Sequence, residues 1–425
     1  MNRVRLSAGI VFACASLVAG FAAAPPPASR DVPLPTSKLL HGPAPGRIAN
    51  LNSFPATIAI SPDRRYAAFL NDGYGTQAAQ AHQSITILDL QSNTLSDFPD
   101  SRLGEEAHQS YFLGLAFSSD GRHLYASVGS ITDPTGAKKD NTGNGVAVYS
   151  FHAGTIAPER FLKIAPQPVA PGKKIAFELR KTPAGTAIPY PAGLAVISGK
   201  GSDQILLANN LSDNVVLLNA SDGTIVKAFD LSTSRLIPSA FPYSVVASRD
   251  GRRAWCSLWN ASQVAELDLD RGTVVRWIPL LKPNDPTAPG SHPTALVLSP
   301  DENILYVALS NLDRVAAIAT GTGKSAAMFT TTAPGQQFPG TYPSALALSP
   351  DAKRLFVAEA SLDAVGVFDI SGIHPQAAIS HAAPQTPLGF IPTDWYPSAL
   401  AYVSNNLLVA TAKEREPAQT AASAS

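Results

Sequence analysis

Cysteine is almost missing. The 425 residues hold two, Cys14 and Cys256, too few for a disulfide-stapled scaffold or a site built on paired thiolates. Charge is thin and balanced: 15% of residues are charged, 32 basic against 32 acidic, for a formal net charge of +0. Without a basic excess or a basic run, neither nucleic acid nor an anionic membrane surface is indicated as a partner. Catalytic signatures are absent too. There is no His-Glu-x-x-His, no Gly-x-Ser-x-Gly and no Cys-x-x-Cys. "GTGKS" (Gly321 to Ser325) is not a phosphate loop, because Ile318 stands where the motif needs glycine. The eight histidines show no metal-ligand spacing, and the residues name no metal and no cofactor.

Long apolar runs are also scarce, and the single candidate is N-terminal. Arg3 and Arg5 precede an apolar stretch from Leu6 to Phe21, followed by Ala22, Ala23, Ala24 and then three prolines. This is the layout of a secretory signal peptide over residues 1–24, cleaved near Ala22 or Ala24. It predicts a periplasmic or secreted protein with no membrane attachment after cleavage. Cleavage would leave Cys256 as the lone cysteine, read as a small buried hydrophobe in "AWCSLW".

What is abundant is turn chemistry. The 36 prolines and 30 glycines punctuate short apolar strands. One unit recurs: an aromatic residue or His, usually Pro, a short strand, a turn such as "SPD", a second strand, a polar turn and a third strand. Copies start at Phe54, Tyr111, Tyr190, Phe241, His292, Tyr342 and Tyr396. A period of roughly fifty residues with several strands per unit indicates propeller blades. The sequence thus predicts an all-β, seven-bladed propeller with four-stranded blades. It would occupy residues 36–413, after a Pro-rich linker over 25–35 and before a disordered tail over 414–425. The last copy shows two strands only. "SKLLHG" (Ser37 to Gly42) and "GRIANLN" (Gly46 to Asn52) are expected to complete it from the N-terminal side.

"LYVALSNLDRVAAI" and "LFVAEASLDAVGVFD" resemble the YVTN, or YncE-like, β-propeller repeat. "SFPATIAISPDRRYAAFLNDGYGT", the stretch from Phe98 to Ser130 and "FIPTDWYPSALA" resemble the propeller half of bacterial two-domain proteins in which such a propeller precedes an alkaline-phosphatase-like phosphoesterase domain. The resemblance implies a non-catalytic module that binds a small molecule or a protein, a separate phosphoesterase included, with no phosphoesterase domain of its own. A monomer is expected.

The ring residues should collect at one mouth of the channel, as a collar for a ligand or as plugs in the seams between blades. Because every copy has one, repeat packing alone accounts for them. Departures from the repeat lie on that same face: the insertions Asn71 to Gln83, Gly129 to Gly145 and Ala165 to Pro189, and the link carrying Asp97, Asp100, Arg102, Glu105, Glu106 and His108. The candidate ligand-binding residues are therefore Tyr111, Tyr190, Phe241, His292, Tyr342, Tyr396, Arg102 and His108. No catalytic residue is assigned. Asp89, Asp268 and Asp369 recur at the end of the third strand and read as turn partners. The competing reading is a lactonase-type hydrolase with its site at the channel mouth, where His292, Glu359, Asp394 and Glu414 are the candidates.

Overall fold

The computed structural model describes residues 32–33, 39–40, 46–47, 49–73, 82–103, 109–139, 141–176, 182–199, 201–281, 290–375 and 383–412. The expected signal peptide and tail, and His108, Glu105, Glu106 and Glu414, lie outside them. Among the described residues, no helix is long and apolar enough to cross a membrane.

Six four-stranded antiparallel sheets form the blades. Their innermost strands are Pro55–Ile60, Ser110–Phe117, Pro191–Ile197, Pro242–Ala247, Pro293–Leu298 and Pro343–Leu348. Among the described residues a seventh innermost strand, Pro397–Val403, pairs only with Asn406–Thr411, as a two-stranded sheet. The expectation of seven four-stranded blades is corrected: the described residues form six, and the two-stranded unit sits between blade six and blade one. The predicted completion by N-terminal strands is not what forms. Leu39–Leu40 pairs with Val32–Pro33 instead, and no strand is present among the described residues of 46–52. Asn52 instead donates to Ser84 and Asp97, which ties that end of the segment to blade one rather than along Asn406–Thr411.

The blades follow from side-chain pattern. Second strands such as Tyr66–Asn71 and Ile304–Leu309 are buried at every position, as their largely apolar sequence requires, with Asn71 bonded to Ser84 and Thr86. Outer strands alternate, as in Thr273–Pro279, because one face meets water. Apolar clusters fill every seam around the ring. The two seams flanking the two-stranded unit hold four buried residues each, fewer than any other. That shortfall follows from the missing third and outer strands.

Neighbouring inner strands are tied in two ways. In part of the ring a hydroxyl reaches the next strand's carbonyl: Thr57 to Leu113 (2.7 Å), Thr294 to Pro343 (3.3 Å), Ser344 to Pro397 (3.0 Å), and Ser398 to Pro55. Between blades two, three and four, glycine replaces the hydroxyl. A Cβ on Gly114 would lie 2.6 Å from the Ala192 carbonyl oxygen, and one on Gly193 would lie 2.6 Å from that of Tyr243. Backbone there approaches backbone directly.

Turn aspartates behave as expected. Asp89 accepts from the Gln91 and Ser92 N–H groups, Asp268 from Arg271, and Asp369 from Ser371.

Candidate functional site at the channel mouth

Each blade enters its inner strand through a strained residue. Phe54, Tyr190, Phe241, His292, Tyr342 and Tyr396 all have φ between 44° and 61°, a left-handed conformation costing about 1–3 kcal/mol in a bulky residue. The cost is offset locally. Each carbonyl accepts an N–H from just beyond the second strand of its own unit: Asp72, Asn210, Trp259, Ser310, Ala360 and Ala412, at 2.9–3.2 Å. Aspartates in the turns between second and third strands clamp the next entry. Asp213 accepts from the N–H groups of Ser239, Ala240 and Phe241. Asp313 does the same for Gly340, Thr341 and Tyr342, and Asp363 for Tyr396. These clamps went unread in the sequence, although "LSD" and "SLD" repeat them at one repeat position.

Blade two breaks the rule. Its innermost strand already begins at Ser110, and two extra residues separate the Tyr111 and Leu115 pairings, against one in the other units. Tyr111 is therefore turned into the core and fully buried. Its hydroxyl meets Tyr149 Oη at 2.5 Å, and Tyr149 donates to Asp100 Oδ2 at 2.5 Å. Arg102 belongs to the same network, bonding Asp100 through Nε and Nη2. Burial pushes the Asp100 carboxyl up, but the bonds from Arg102 and Tyr149 outweigh it and hold the group below its ordinary value. Neither Tyr111 nor Arg102 lines the channel.

The other ring residues divide into two groups. Phe54, Tyr342 and Tyr396 line the channel, with Tyr396 6.4 Å from Phe54 and 6.5 Å from Tyr342 between ring centroids. Phe241 and His292 instead flank Trp259, which stacks on His292 at 4.0 Å and 18°. Burial pushes the His292 imidazole below its ordinary value and favours the neutral ring. Tyr190 lies across Gly129, where a Cβ would be 2.8 Å from its ring.

Three residues that the sequence reading passed over complete the mouth. Phe112 replaces the proline found in every other copy. It packs edge-on to Tyr190 at 5.7 Å and Tyr243 at 5.9 Å. Tyr243 occupies a position that other copies give to Ala, Leu, Thr or Ser, and it reaches from blade four toward the opposite wall. Burial pushes its phenol well up, and the neighbouring Tyr342, Asp72 and Tyr396 add to the shift. Asp72 is the third. Among the described residues its Oδ1 is buried and without a hydrogen-bond partner, and desolvation pushes the carboxyl well above its ordinary value. A departure from the repeat was the available signal for all three, since Asp72 lies in the insertion from Asn71 to Gln83.

The remaining candidates lie elsewhere. Glu359 is fully buried beneath the rim, with Oε1 against Gly366, and burial pushes its carboxyl well up. Asp97 accepts from Ser84, Thr86 and Asn52. Cys256 is buried, with its thiol pushed up by desolvation. Among the described residues, no three His, Cys, Asp or Glu side chains come together as a metal site. Below the mouth the channel has a volume of about 400 Å³, with walls that include Ile58, Leu115, Leu194, Val245, Leu346 and Leu400.

No family model matches the chain, and no curated protein matches it. Solved structures do. The periplasmic gluconolactonase of Pseudomonas aeruginosa superposes with a TM-score of 0.59 at 18% identity, over 88% of this chain and 93% of that one. A streptogramin B lyase gives 0.56 at 14% identity, over 86% and 93%. Hydrazine synthase of Kuenenia stuttgartiensis gives 0.53 at 15% identity, over 86% and 97%. The chain is a β-propeller; at these identities the likeness is one of fold.

Proposed function

We propose that the protein is a lactonase-type hydrolase acting on a small cyclic ester at the tyrosine-lined mouth of the channel. The observation that carries this reading is Asp72, a desolvated carboxyl with an unpartnered oxygen, within electrostatic reach of the Tyr243 phenol. A carboxyl raised toward neutrality is suited to proton transfer. Asp72 takes the proton of a water as its oxygen attacks the ester carbonyl. The ring C–O bond breaks, and the proton passes to the departing alkoxide, leaving a hydroxy acid. The phenols of Tyr342 and Tyr396 face the carbonyl oxygen as it gains charge. Gluconolactonase and lyase propellers among the structural neighbours support an enzymatic reading over a purely binding one. With the expected leader cleaved, the reaction takes place in the periplasm or outside the cell.

The test is hydrolysis of a panel of lactones by the purified protein. Asp72→Asn is expected to lower kcat by about a hundredfold or more, and Tyr243→Phe by about tenfold. Because the base form is needed, activity rises with pH through the raised Asp72 value. A panel left untouched, or an Asp72→Asn protein as active as its parent, would overturn the assignment. A second reading keeps the mouth as a docking face for a separate protein, a phosphoesterase included. The observation favouring it is the ordering of the insertions there: Asp133 accepts from the Ala137 and Lys138 N–H groups and from Asn141, and Lys174–Ile175 pairs with Leu236–Ile237.

A further inference from the structure

Resting on the lactonase reading, we infer that the substrate carries an uncharged alkyl chain, and that this chain lies in the channel below the reacting ring. The residues lining the channel include no charged side chain. Its hydroxyl residues do not make it polar. Thr57, Thr294, Ser344 and Ser398 each donate to a carbonyl of the neighbouring strand, so their protons are engaged in the seams rather than offered to the lumen. What remains facing inward is largely aliphatic, Ile58, Leu115, Leu194, Val245, Leu346 and Leu400, with Ser244 as a further hydroxyl on the wall. Such a cavity, about 400 Å³ in volume, lacks the convergent donors and acceptors that a polyhydroxylated sugar ring requires.

The polar groups are concentrated at one end. Tyr243, Tyr342, Tyr396 and Asp72 are electrostatic neighbours there, while Leu346 and Leu400 continue into the opening on the far face, bordered by Leu298, Leu348 and Tyr402, with Arg64 at its edge. A polar head at a phenol-and-carboxyl rim with an apolar tail in an aliphatic tube describes an alkyl-substituted lactone. It does not describe a hydroxylated one.

The experiment has two independent arms on the purified full-length protein. In the first, γ-lactones with side chains from none to eight carbons are compared with gluconolactone. KM is expected to fall roughly fourfold per added methylene until the tube is filled. In the second, binding of 1-decanol is measured by calorimetry on the parent and on Ala345→Phe, which fills the lumen. One-to-one binding to the parent, weakened at least tenfold in the variant, is expected. Leu400→Phe repeats the measurement should Ala345→Phe fail to fold. Hydrolysis without chain-length dependence and without decanol binding overturns the inference and leaves the lactonase reading standing. Decanol binding without hydrolysis of any lactone upholds the alkyl channel and overturns the lactonase reading. Failure of both arms overturns both.

Discussion

On one face of the ring, five turns are close copies of one another. Ser61, Ser118, Ser248, Ser299 and Ser349 each donate to an aspartate two residues on. Each also accepts the N–H five residues on, at the start of the second strand. The opposite face begins from an equally regular device, the left-handed entry residue, and then departs from it. Blade two discards it, blade four adds Tyr243, and blade one places Asp72 where other units have Asn, Trp, Ser or Ala. The difference shows how a repeat protein acquires a site. Packing constrains every copy, so chemistry enters where single copies deviate.

The comparison can be broken or sharpened by substitution, starting with the largest effect. Gly193→Val drives a side chain into the Tyr243 backbone and should cost about 3 kcal/mol in chemical denaturation, whereas Gly389→Val, with nothing near its Cβ position and no left-handed backbone, should cost much less. Asp313→Ala removes the clamp on Tyr342 and strands backbone donors, for about 2 kcal/mol. Ser299→Ala on the regular face should cost about 1 kcal/mol. Equal losses for the last two would mean that the strained entries demand no special support.

Glu359→Gln tests the buried rim. Its folded-state value is raised by burial, so the folded protein holds this proton more tightly than the unfolded chain does. The stabilisation from that proton is complete below the ordinary glutamate value near 4.5 and is lost as pH rises toward the folded-state value. Glu359→Gln should therefore gain stability relative to the parent as pH rises from 4 to 8, by a fraction of the preceding effects. A constant difference across that range would show that Glu359 does not titrate with folding.

Much of the fold was legible. Seven entry residues, the Ser-x-Asp turns and the third-strand aspartates could be read along the chain because each acts within a few residues of itself. The count of complete blades could not. A seventh copy was visible, but whether distant strands would finish it depended on pairing across the ring. The site was legible only in part. Tyr342 and Tyr396 were named and do line the channel. Tyr111 looked equivalent, yet extra residues in its bulge change the register and turn it inward, since a strand side chain changes face with every residue. Phe112 and Tyr243 were visible as exceptions. Asp72 stood in view within the insertion from Asn71, but its nearness to Tyr243 of blade four did not, because that approach is made across the channel.

The amino-acid sequence by itself determined the blades: apolar strands of set length, turns with their own hydrogen-bonding side chains, and a repeat long enough for four strands. These depend on local backbone preference and side-chain period. Only the tertiary structure decided that six blades are complete among the described residues and that Asp72 comes within electrostatic reach of Tyr243 in blade four. Closing the ring brings together residues hundreds of positions apart, and no local pattern encodes what a side chain will face across a channel.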